Sequence, residues 1–162
     1  MNKKSVITGT TSLLLLAMLF AVFVAPAAAK ALVPFKGSIQ AVETNQFDFP
    51  NMLMYVDATG SGESSHLGRF LVSYEVVVNL INGMGDASLQ FVAADGSSLS
   101  ALGTGLGVPS ATPDVNYVVE QYTIVGGTGR FAGATGSFTV ERWVNKITGV
   151  SSGSFSGAID LP

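Results

Sequence analysis

Gly126-Gly127-Thr128-Gly129-Arg130-Phe131-Ala132-Gly133-Ala134-Thr135-Gly136 decides how this chain is read. Five of its eleven residues are glycine, and apolar runs flank it on both sides. Glycine enters positive φ without steric cost, so it gathers where backbone must turn tightly. The segment is therefore expected as an ordered loop closing a hairpin between residues 116–125 and 136–147.

The same grammar extends outward from that hairpin. Short β-prone runs, broken by Gly, Asn, Asp and Ser, cover residues 35–43, 52–64, 67–81, 87–94, 97–105 and 150–159 as well. Asn82-Gly83 and Asp95-Gly96 mark tight turns. Gly60 and Gly62 read as bulge or bend positions within a run. Residues 107–114, with Pro109 and Pro113, read as a loop. Eight antiparallel strands at near-regular spacing, joined by short connections, predict an all-β, small eight-stranded antiparallel β-barrel. Eight strands leave an interior that side chains fill or that holds one small ligand. Phe131 is expected to plug one end of that barrel, and Arg130 to cap backbone carbonyls at the loop end.

The barrel domain is expected over residues 30–162. Residues 1–29 read as a secretory signal peptide: Lys3 and Lys4, an apolar run over 13–24, then Ala27-Ala28-Ala29. Secreted or periplasmic localisation follows. A retained membrane anchor is the alternative, although the uninterrupted apolar run is shorter than the ~20 residues a spanning helix needs. After cleavage no stable membrane insertion is expected. The domain keeps six of the eight basic residues against all eleven acids, a net charge of −5. So few basic residues argue against nucleic acid, whose phosphates demand clustered Lys and Arg. The chain has no cysteine. Thiol nucleophiles, thiolate metal sites and disulfides are thus excluded.

His66 is the single histidine, expected to shape a strand end. No metal site and no cofactor is called for, and Asp95-Gly96 reads as a hairpin turn, since no D-x-D-x-D spacing surrounds it. A polar set emerges instead from register. With the 126–136 loop centred near Phe131, paired numbers sum to about 262. Ile124 then faces Phe138, Tyr122 faces Val140, and Glu120 faces Arg142. Directly opposite residues share one face of a sheet. That face carries Val118, Glu120, Tyr122 and Ile124 opposite Phe138, Val140, Arg142 and Val144, and its apolar character makes it the interior. Tyr74 shares the interior through the face Phe70, Val72, Tyr74, Val76 and Val78. Tyr74, Glu120, Tyr122 and Arg142 are the candidate ligand-binding residues. The pair Glu120–Arg142 has two readings: an exposed cross-strand pair of little energetic weight, or a polar anchor inside an apolar cavity. Leu71, Val77, Val119, Val125 and Trp143 make the outer face half apolar, so a homo-oligomer is expected to cover it.

Three segments together resemble one family. Ser65-His66-Leu67-Gly68-Arg69-Phe70, Phe91-Val92-Ala93-Ala94-Asp95-Gly96-Ser97-Ser98-Leu99 and the 126–136 loop are similar to bacterial secreted proteins with an allene oxide cyclase-like barrel. Plant dirigent proteins share that barrel and a similar glycine-rich loop. The resemblance spans residues 35–159. It implies the same barrel and, from the plant relatives, a trimer. Those relatives either cyclise a lipid epoxide or orient radicals during coupling, in both cases by enclosing a reactive molecule in an apolar cavity. Only turn motifs match, so no catalytic residue is carried over. Three functions remain open: a secreted barrel binding a small apolar molecule, a cyclase- or dirigent-like enzyme of isomerase type with Glu120 as its sole acid or base, and a structural protein with a filled core. They differ in whether Phe70, Tyr74, Tyr122 and Phe138 leave space inside.

Overall fold

The computed structural model describes residues 31–162. The expected signal peptide, residues 1–29, lies outside the described residues. The domain is all-β. Its strands are β1 (Val33–Asp48), β2 (Leu53–Ser64), β3 (Gly68–Asn79), β4 (Met84–Ala93), β5 (Ser98–Pro109), β6 (Val115–Gly127), β7 (Thr135–Asn145) and β8 (Val150–Asp160), with one 3-10 turn at Gly129–Phe131. Each strand pairs antiparallel with its sequence neighbours, and β1 pairs with β8 to close the barrel. Closure leaves no unpaired edge, which answers the absence of disulfides.

Strand alternation sorts the residues. On β3, Phe70, Val72, Tyr74 and Val76 are buried while Leu71, Ser73, Glu75 and Val77 are exposed. The two halves of the interior differ. Phe35, Phe70, Phe91, Phe138 and Phe155 interlock near the end that holds the β2–β3 and β4–β5 turns, with ring centroids 4.9–6.2 Å apart. Such edge and tilted contacts add to the burial itself. Phe131, on the β6–β7 loop, is buried against this cluster's end as the expected plug, together with Leu67. Arg130 donates from Nη2 to the Leu67 carbonyl at 3.1 Å, the expected capping role. His66 sits in the β2–β3 turn, with Nε2 3.0 Å from the Pro34 carbonyl. Asp95-Gly96 forms the β4–β5 turn, where Asp95 Oδ1 accepts from the Ser97 backbone N–H and is held below the usual carboxylate range by it.

Several expectations are corrected. Gly60 and Gly62 are not bulges: both stay in register with β1 and β3. They face inward, and a Cβ at Gly62 would stand 2.5 Å from the Phe70 ring. The bulge lies instead between β5 and β6, where Ser100 pairs Gly126 and Ala101 pairs Ile124, leaving Val125 extra. β5 runs on through Pro109, which pairs Asn116 at the strand's end, so the loop begins only at Ser110. β1 continues past Glu43 to Asp48, paired along its length with β2. The β6–β7 register differs by two residues: Tyr122 faces Phe138, Glu120 faces Val140, and Val118 faces Arg142. The hairpin is centred on Arg130 rather than Phe131. A shift of two keeps every side chain on its face, because the strand period is two.

Candidate functional site

The half of the barrel opposite the phenylalanine cluster is open. A cavity of about 580 Å³ lies within it, reaching the turns between β3 and β4 and between β7 and β8, with Phe47 near the end of β1 on its lining. Its apolar wall includes Met54, Val56, Val76, Val78, Val118 and Val144. Inward residues shrink along the strands toward the mouth. On β5 they run Leu99, Ala101, Gly103, Gly105, Gly107 toward the mouth, and on β4 Phe91, Leu89, Ala87, Gly85. At Gly105 a Cβ would strike Cγ of Glu120 and approach the Val119 carbonyl at 2.6 Å. Only glycine there lets the Glu120 side chain lie flat along the wall.

Charge collects where the cavity meets the aromatic half. Glu43, Glu120 and Arg142 line the cavity. They are 8%, 3% and 4% exposed. Arg142 donates from Nε and Nη2 to the two Glu120 oxygens at 2.9 and 3.0 Å, a bidentate fork. Its Nη1 donates to Glu43 Oε1 and to Ser151 Oγ, the latter at 3.2 Å. Tyr74 donates its hydroxyl to the same Glu43 Oε1 at 2.8 Å, and the guanidinium carbon of Arg142 lies 5.0 Å from the Tyr74 ring centre.

Electrostatics follows from burial. Loss of water raises the Tyr74 phenol far above its ordinary value of 10, Arg142 opposing and Glu43 reinforcing that shift. Tyr122 is likewise pushed up, by burial first and the Glu120 charge second. Burial alone would lower the Arg142 guanidinium, but the Glu120 hydrogen bonds and charge more than reverse this, so it stays protonated. Both tyrosines are therefore neutral hydrogen-bonding groups at ordinary pH, and Arg142 is a fixed cation.

Of the four residues singled out from the sequence, the structure brings Glu120, Arg142 and Tyr74 into one network. Tyr74 enters that network without lining the cavity, and the fourth, Tyr122, does not line it either. Its ring stacks on Phe138 at 5.2 Å and 12°, as part of the filled half. Of the two readings of the Glu120–Arg142 pair, the interior one holds, by diagonal contact across the ladder rather than direct pairing. Glu43 and Ser151 were missed. Parity would have found both. Phe35, Ile39 and Ala41 put Glu43 on the inner face of β1, and Phe155 and Ile159 put Ser151 on the inner face of β8.

Around the mouth, Phe47, Phe49, Ile81 and Ile147 are exposed. Phe47 and Phe49 stack on each other at 5.5 Å. On the outer face Leu71, Leu102, Val125 and Trp143 are more than half exposed. The fold and site together define an up-and-down eight-stranded barrel, closed at one end and open at the other over a buried ionic cluster. Comparison with protein-family models, with curated proteins and with solved structures finds no match for this chain.

Proposed function

We propose that this protein is an exported barrel that binds a small, largely apolar molecule in its open half. One observation carries the reading: a cavity of about 580 Å³ whose walls are apolar and whose inner end holds a few convergent, buried polar groups. Ligand sites are built in this way, with apolar area for affinity and sparse polar groups for orientation. The likeness of the turn motifs to allene oxide cyclase-like and dirigent barrels supports the same reading, since those families enclose their molecules in apolar cavities. Glu120 has both oxygens committed to Arg142, which argues against its service as a free acid or base and for binding over catalysis. The exposed Leu71, Leu102, Val125 and Trp143 support assembly of copies through the outer face; sedimentation velocity at several concentrations tests this, with a strictly monomeric protein as the contrary result.

The test uses the fluorescent apolar probe N-phenyl-1-naphthylamine and mass spectrometry of small molecules carried through native purification. Saturable one-to-one binding is expected, lost in Val118→Trp, which fills the cavity, and kept in Leu71→Trp, which adds bulk outside. Equal probe affinity in both variants would refute binding within the barrel.

A further inference from the structure

The charges at the inner end of the cavity do not balance. Two carboxylates, Glu43 and Glu120, share one guanidinium, that of Arg142, and all three side chains are at most 5% exposed. Burying an uncompensated charge is costly, and buried charges are therefore paired or hydrogen-bonded. Glu120 is satisfied by its fork with Arg142. Glu43 is not satisfied in the same way. Its Oε1 takes both of its hydrogen bonds, from Tyr74 and Arg142. Its Oε2 takes none from any described group. No buried side-chain nitrogen or oxygen lacks a partner among the described residues, so Oε2 opens onto the cavity that Glu43 lines. Among the described residues the only other charged side chain on the wall is Lys146, half exposed at the mouth, with Asp114 4.0 Å away.

We infer that the molecule taken by this cavity carries a cationic head, an ammonium or amidinium group, which seats on Oε2 of Glu43 while its apolar body lies against the valine wall. The inference rests on the binding role proposed above and adds the chemical class of the ligand. A cation there completes the charge count and supplies the donor that Oε2 lacks. An anionic head would meet two carboxylates, and four of the five Arg142 N–H groups are already engaged, by Glu120, Glu43 and Ser151, leaving a single N–H on Nη2 to offer it. A neutral alcohol could donate to Oε2 but would leave the charge in place.

Three probes with one chain length separate these cases: n-decylammonium, n-decanol and n-decanoate, titrated calorimetrically at neutral pH below their aggregation concentrations. The ammonium should bind at least about tenfold more tightly than the alcohol, about 1.4 kcal/mol, and the carboxylate more weakly than either. Glu43→Gln, nearly isosteric, should bring the ammonium and the alcohol to equal affinity. Arg69→Gln, on the outer surface and away from the cavity, should leave the order unchanged. Equal binding of the three probes by the wild-type protein, or tightest binding of decanoate, overturns the cationic head while leaving the cavity occupied. Binding of none of them, together with no response from the fluorescent probe, overturns the binding role itself. The wild-type ranking decides the matter even where Glu43→Gln does not fold.

Discussion

Arg142 and Glu120 are not ladder partners, yet they are joined by two hydrogen bonds of 2.9 and 3.0 Å. Arg142 stands opposite Val118, one inward step nearer the mouth than Glu120. Diagonal neighbours on one face of a sheet lie within reach of long side chains. The Arg142 side chain therefore runs back along the inner wall toward the barrel's middle. That direction lets the same guanidinium meet Glu43 of β1 and Ser151 of β8.

Removing this cation should be far more damaging than removing one acid. Arg142→Met leaves two buried carboxylates with no counter-charge and should destabilise the fold by about 3–5 kcal/mol. Glu120→Gln keeps the shape and one of the two acceptors of the fork and leaves Glu43 as the counter-charge of Arg142, so it should cost less. Urea unfolding of both variants and the double mutant gives the coupling energy. A coupling near zero, with both single variants as stable as wild type, contradicts the buried network.

Stability should fall at alkaline pH, and two phenols should be responsible. In the unfolded chain tyrosine ionises near 10, whereas burial keeps Tyr74 and Tyr122 neutral well beyond that value. A raised folded pKa means that the unfolded state gives up its proton first. The stabilisation is thus full below about pH 10 and is lost progressively above it. Tyr74→Phe should flatten that alkaline decline, as measured by denaturant midpoints between neutral pH and the point of unfolding. Absorbance at the phenolate band should show neither tyrosine titrating while the barrel is intact.

Gly105→Ala tests the packing that makes room for Glu120. The added methyl strikes the Glu120 side chain and the β6 backbone, so a loss of roughly 1–3 kcal/mol is expected from overpacking. Thermal unfolding of Gly105→Ala against wild type reads it. A neutral result means that Glu120 has another place to lie.

The closed end should carry much of the stability and the open end little. Phe131→Ala removes a buried plug and should cost about 3–5 kcal/mol. Phe49→Ser, at the exposed rim, should change stability by less than about 0.5 kcal/mol. Urea midpoints of the two variants compare the ends directly; similar losses at both contradict the division of the barrel into a packed half and an open half.

The number of strands, their order and the faces of β3, β6 and β7 were legible in the sequence. Turn glycines punctuate the chain, and alternation assigns faces without knowledge of any partner. Phe70, Val72, Tyr74 and Val76 lie inside because their neighbours Leu71, Ser73 and Glu75 cannot share that face. Even a β6–β7 register wrong by two residues kept Glu120 and Arg142 together on the inner wall, since two is the period of the strand. Glu43 was in principle readable by parity from Ile39 and Ala41, but a run taken to end at Glu43 hid its place on a longer strand. The tertiary structure alone decided what depends on closure. Only when β8 meets β1 do Glu43, Tyr74 and Ser151 converge on Arg142 across strands separated by up to 99 residues in sequence. Only closure, too, turns the tapering inward residues of β4 and β5 into an enclosed volume. Alternation fixes which side of a sheet a residue faces, but the height at which inward residues from different strands meet is set by the stagger of the whole ring.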